Sequence, residues 1–162
     1  MLKLRGKTLE IKFEECVTCN KEKFYRLAYT YVKNSHDAMD ILQESILKGY
    51  SNLSKVKDIR ALDKWMSRII VNTALDFLRK SSKETVIDKE SIIVDKVATT
   101  ADENLSYAID ALDPGLKTII ILKYFHGYTI NEVADILEIS VSTVKNRMHK
   151  ALSLLRVDIK EV

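Results

Sequence analysis

The stretch from Tyr128 to Arg156, YTINEVADILEISVSTVKNRMHKALSLLR, carries two apolar stripes at helical spacing with only the turn Glu138 to Ser140 between them. The first stripe is Ile130, Val133, Ala134 and Leu137, and Thr129 with Glu132 opens it in the T-x-x-E order of a capping box. The second is Val141, Val144, Met148, Ala151, Leu152 and Leu155, which share one face at about 100° per residue. A turn this short makes the two helices cross closely, and small Ala134 stands where they would meet. Glu138 occupies a position where Gly is common in such turns, at a cost of about 1 kcal/mol if its backbone is left-handed.

From Ile139 to Arg156 there is no Asp or Glu, although the chain holds 26 basic and 23 acidic residues. The face opposite the second stripe presents Ser142, Thr143, Asn146, His149 and Lys150, with Lys145 and Arg147 on its flanks. Short polar groups at the centre suit the base edges of a DNA major groove, and flanking cations suit phosphates, which would repel acids. The competing reading is an ordinary amphipathic helix with a solvated basic face. The capped partner helix and tight turn tip the reading towards a DNA-binding helix-turn-helix. The net charge of +3 is too mild to argue for nucleic acid by itself.

The other segments also point to helix. Only 4 Gly and 1 Pro interrupt 162 residues, enough chain for two small domains. Residues 13–80 form one expected helical block: Phe24, Leu27, Ala28 and Tyr31 make an inward stripe, and Asn34 and Ser35 cap a second helix that starts near His36 and ends around Gly49. A polar loop from Ser54 to Asp63 leads to a third. Residues 81–104 are rich in Ser, Thr and charge and read as a flexible linker, with SIIV able to dock somewhere. A second block, 105–157, includes Asp113 and Pro114 as N-cap and first helical position of a helix running to about Tyr124. Its β-branched TIIILKYF would also suit a buried strand, and Gly127 ends it either way. The fold class expected is all-α, two small helical domains joined by a linker.

Two polar faces stand out in the first block. Asp37, Asp40, Gln43, Glu44 and Leu47 line one side of the second helix, while Ala38, Ile41, Leu42 and Ile46 point elsewhere. Spacing alone favours a solvated acidic face, with a basic protein partner as the functional reading. On the third helix Arg68, Asn72, Asp76 and Arg79 form a polar stripe beside Trp65, Ile69 and Phe77. Asn is a poor mid-helix residue, so Asn72 is either a specific hydrogen-bonding group or a tolerated surface residue.

Catalysis has no foothold in these residues. No P-loop, glycine-rich nucleotide fingerprint, H-E-x-x-H or G-x-S-x-G is present, so no enzyme, cofactor or small-molecule substrate is expected. Cys16 and Cys19 make one C-x-x-C without a second ligand pair, and His36, His126 and His149 are scattered. Two reduced, partly buried thiols are expected rather than a metal site. The N-terminus lacks the apolar core of a signal peptide, and Ile119 to Leu122 cannot span a bilayer, which points to a cytoplasmic protein.

Taken in order, FYRLAYTYVKNSHDAMDILQESILKGY, WMSRIIVNTALDFLRK and GYTINEVADILEISVSTVKNRMHKALSLLR resemble the extracytoplasmic-function (ECF) sigma factors of bacterial RNA polymerase. FYRLAYTYVKN and TALDFLRK are similar to the sigma-V type. The resemblance makes 13–80 sigma region 2, 81–104 the linker and 105–157 sigma region 4. It implies that Asp37, Asp40, Gln43, Glu44 and Leu47 face the core polymerase. It places Arg68, Asn72, Asp76 and Arg79, with Lys55, Lys57 and Arg60 of the loop, at minus-ten DNA. It places Thr129, Ser142, Thr143, Lys145, Asn146, Arg147, His149 and Lys150 at minus-thirty-five DNA, although His149 departs from the aromatic or Arg often found there. Core polymerase, promoter DNA and an anti-sigma factor, commonly membrane-associated, are the implied partners, and stress-response promoters the implied targets. The alternative is a helix-turn-helix regulator that does not occupy the sigma site.

Overall fold

The computed structural model describes the backbone of residues 2–85 and 101–160, and the side chains of 6–82 and 103–156. The chain divides into two compact units, Met1–Ser82 and Lys83–Val162. Among the described residues there is no strand, and no helix is long and apolar enough to cross a membrane.

The first unit is built from α1 (Leu2–Val32), α2 (Ser35–Ser51) and α3 (Leu62–Thr85). Phe24, Leu27, Ala28 and Tyr31 are buried, as their spacing requires. Lys33 breaks α1 with a left-handed backbone, φ 50°, and donates its N–H to Tyr29 at 2.7 Å. Asn34 then caps α2: its Oδ1 accepts from the N–H groups of His36 at 2.9 Å and Asp37 at 3.1 Å, filling two of the donors a helix start leaves unpaired. The helix continues two residues past the expected stop at Gly49. Gly49 is instead a point of close packing. A Cβ there would lie 2.7 Å from Met66 Sδ and 3.0 Å from the Phe13 ring, so α2 can lie this close to both only without a side chain.

Between α2 and α3 the polar loop is not featureless. It makes two short 3-10 turns, Leu53–Lys55 and Ile59–Ala61, anchored by buried Leu53. Asp58 caps the second turn by accepting from the Arg60 N–H at 3.0 Å, and its carboxylate also takes Arg60 Nε at 3.2 Å. Those bonds hold the Asp58 carboxyl below its ordinary value.

The second unit holds α4 (Ala101–Asp110), α5 (Pro114–Ile120), α6 (Ile130–Leu137) and α7 (Val141–Lys160). Helices α3 and α4 reach into both ends of the stretch 81–104; most of it, SIIV included, lies outside the described residues. Ala108, Ile109, Leu112, Leu116, Ile120, Ala151 and Leu155 form a core shared by α4, α5 and α7. Pro114 opens α5 as expected, but Asp113, although at the N-cap position, makes no side-chain cap bond.

The ambiguous TIIILKYF is helical. Leu116 to Leu122 are buried without a break, which erases the polar face that marks a surface helix. From Ile121 to Phe125 the helix widens to a π turn, closed by the His126 N–H to Ile121 O at 3.1 Å and ended by Gly127 at φ 68°. Within that turn Tyr124 and Phe125 are more than half exposed, at 55% and 56%. Buried Lys117 is paired with Asp110 at 3.0 Å, the condition on which a lysine is tolerated in a core.

Candidate nucleic-acid and polymerase interfaces

The helix-turn-helix is assembled by caps at both starts. Thr129 Oγ1 accepts from Glu132 N–H at 3.2 Å while Glu132 Oε2 accepts from Thr129 N–H at 2.8 Å, a reciprocal capping box. Glu138 ends α6 with φ 52° and ψ 45°, in the left-handed region. Ile139 N–H then bonds Ala134 O at 3.1 Å, closing the turn over the small residue. Val133, Ala134, Ile136, Val144, Ala151 and Leu155 are buried, and Val141, Met148 and Leu152 partly so. Ile136 is not in the expected stripe because it falls at i+6 from Ile130, off the i, i+3, i+4, i+7 pattern, although it is i+3 from Val133.

Of the residues assigned to minus-thirty-five DNA, Thr129, Ser142, Lys145, Asn146, Arg147, His149 and Lys150 are exposed. Thr143 is half-buried and tied to the start of its own helix. Its N–H donates to Ser140 Oγ at 3.1 Å, and the two hydroxyls are 2.8 Å apart. Ser140 is thus the cap of α7, a role that S-x-x-T at a helix start permits and that sequence reading passed over. Arg147 bends back along the unit, its Nη1 3.7 Å from where a Cβ on Gly115 would stand.

On α2 the two faces separate cleanly. Ala38, Ile41, Leu42, Ser45 and Gly49 are buried, while Asp40, Gln43, Glu44 and Leu47 are exposed and Asp37 is half-buried. Leu47 is 68% exposed, an apolar side chain set among carboxylates. Asp40 lies 3.6 Å from His36, and Glu44 lies 2.8 Å from Lys48. Exposed pairs of this kind contribute little to stability, so both carboxylates are available for exchange with a partner's cations.

On α3, Asn72 and Arg79 are exposed and Arg68 and Asp76 half-buried, beside half-buried Trp65, Ile69 and Phe77. Arg79 is ion-paired with Asp76. Lys55, Lys57 and Arg60 are exposed on the loop, with Arg60 held by Asp58. Cys16 is half-buried, with its thiol pushed up by burial and by nearby Asp63, and Cys19 is exposed.

Comparison with known proteins covers both units. Residues 16–84 match the family model Sigma-70 region 2, and residues 102–155 match Sigma-70, region 4. The chain is 42% identical to RNA polymerase sigma factor SigV of Bacillus subtilis over 147 residues, 89% of each chain. It is 29% identical to ECF RNA polymerase sigma factor SigW of the same organism, over 93% of this chain and 90% of that protein. In fold it is similar to the sigma factor RpoE from Bartonella quintana, solved in complex with the anti-sigma factor NepR, with a TM-score of 0.69 at 18% identity over 91% of this chain and 96% of that one. It is also similar to CnrH, solved with the cytosolic domain of CnrY, with a TM-score of 0.68 at 20% identity over 92% and 88%.

Proposed function

We propose, from the premise that this chain belongs to the ECF family of bacterial RNA polymerase sigma factors and resembles its SigV type, how its surfaces divide the work of initiation. Asp37, Asp40, Gln43, Glu44 and Leu47 on α2 dock on core polymerase. Arg68, Asn72, Asp76 and Arg79 on α3, with Lys55, Lys57 and Arg60 on the loop, hold single-stranded minus-ten DNA. Thr129 and Ser142, Thr143, Lys145, Asn146, Arg147, His149 and Lys150 grip the minus-thirty-five duplex. The role needs no catalysis by this chain, because nucleotide joining belongs to the core enzyme.

The observation that carries this reading is the contrast of two solvent faces: acidic with an exposed leucine on α2, acid-free and basic on α7 as far as Arg156. The first repels DNA and attracts a basic protein surface; the second does the reverse. A helix-turn-helix regulator that ignores the sigma site would account for α7 but leave the α2 face without a use. Thr143 differs from the others of that set in that its hydroxyl and N–H also serve the cap of α7.

An anti-sigma factor is the proposed regulator, a reading supported by the RpoE–NepR complex of similar fold; that it holds the chain at the inner face of the membrane until stress releases it is part of the proposal and rests on the family resemblance alone. The test is reconstituted transcription. Pure chain and core polymerase are mixed with a genomic promoter library, and transcripts are sequenced. Starts below a shared two-box motif support the proposal; random starts, or none above core alone, refute it.

A further inference from the structure

Lys48 stands on α2 one turn beyond Glu44 and is tied to two surfaces. Its Nζ lies 2.8 Å from Glu44 Oε1 and 3.3 Å from Thr73 Oγ1 on α3. The first contact is a half-exposed i, i+4 pair that contributes little alone. The second joins two helices and ends on a hydroxyl of a residue only 2% exposed. Thr73 directly follows exposed Asn72, so one ammonium sits between a carboxylate of the acidic face and the helix that carries Arg68, Asn72, Asp76 and Arg79.

An ammonium has three donor hydrogens and accepts nothing. Glu44 and Thr73 share it through separate hydrogens, and the carboxylate holds it more strongly because it is charged. A partner's cation brought against Glu44 changes that balance: it draws the carboxylate away and repels the ammonium. The Thr73 hydroxyl is then the remaining acceptor of the pair, and the α2–α3 tie shortens as docking proceeds.

We propose that Lys48 is a positioning residue that links docking at α2 to capture of single-stranded DNA at α3. The inference rests on the functional reading above and adds a route by which one surface informs the other. Lys48 touches neither partner in this account; it acts through Thr73 on the helix that does.

The test uses Lys48→Met, which keeps the stem and removes the charge, and Thr73→Val, which removes the acceptor alone. Binding of a labelled minus-ten non-template oligonucleotide is followed by fluorescence anisotropy, with the full chain alone and with it saturated by core polymerase. Core affinity of Lys48→Met should stay within about twofold of wild type, as loss of an exposed pair implies. Oligonucleotide affinity with core bound should fall about tenfold, the loss expected for a charge-assisted hydrogen bond. Thr73→Val should reproduce that fall, and the double variant should lose no more than either single one.

The proposal is overturned if Lys48→Met captures the oligonucleotide like wild type, if it weakens capture equally without core, or if core affinity falls by the same factor. Should Lys48→Met fail to fold by circular dichroism, Thr73→Val carries the same comparison. A wild-type chain that does not bind core would sink the functional reading itself, a result visible before any variant is made.

Discussion

Asn146 and Arg147 are neighbours on α7, both exposed, yet their side chains suit different parts of DNA. An amide pairs with a base edge, and a guanidinium at the flank pairs with phosphate. Asn146→Ala should therefore relax preference at one promoter position by about 1 to 3 kcal/mol, read by transcription from single-base promoter variants. An equal loss on every variant would contradict the assignment. Arg147→Ala should weaken all promoters alike and reduce the slope of log affinity against log salt by about 1. The cysteines give a separate test at this scale. Burial, with Asp63, raises the Cys16 thiol above its ordinary value of 9.0, whereas Cys19 is exposed. Iodoacetamide at mildly alkaline pH should label Cys19 first, as peptide mass spectrometry can follow. The neutral Cys16 thiol favours the folded state fully below 9.0, and that contribution falls as pH rises from there through the folded pKa.

At the scale of elements, the turn between α6 and α7 holds a strained residue between two satisfied caps. Glu138→Gly should stabilise the chain by about 1 kcal/mol, because glycine takes the left-handed backbone without a Cβ clash. Thr129→Ala should cost about 1 kcal/mol by opening the capping box. Urea unfolding of both variants checks the pair of signs. Gly49→Ala should be more damaging, about 1 to 3 kcal/mol, since the new methyl would press on Met66 and Phe13 where α2 meets its neighbours. The capping box, the Asn34 cap and the α7 stripe were legible in the sequence because each depends on residues a few positions apart. The packing role of Gly49 is not legible for the opposite reason: it is set by Met66 and Phe13, and Phe13 lies far off in sequence on another helix. The α5 segment was ambiguous because burial on all sides removes periodicity, and the π turn within it left no mark that spacing could show. Ser140 as the cap of α7 is readable in principle from S-x-x-T, but its hydroxyl is shared with Thr143, and the face spacing draws attention to Thr143 as a DNA contact first.

For the whole molecule, the proposal is that the surfaces of the two units act together and that neither unit suffices alone. Tethering makes the second contact intramolecular, so modest affinity at each promoter box becomes selective when both are engaged on one polymerase. The polymerase contact is the hinge of the account, because without it α7 describes any duplex-binding regulator. It is tested most directly by competition for the sigma site of core polymerase, using a labelled sigma factor and unlabelled chain, wild type or Asp40→Ala with Glu44→Ala. The account predicts that wild type displaces the label and that the double variant, while folded, needs at least about tenfold more protein, each lost charge pair being worth about 1 kcal/mol or more at a docked interface. Equal displacement by both proteins, or none by wild type, would contradict it.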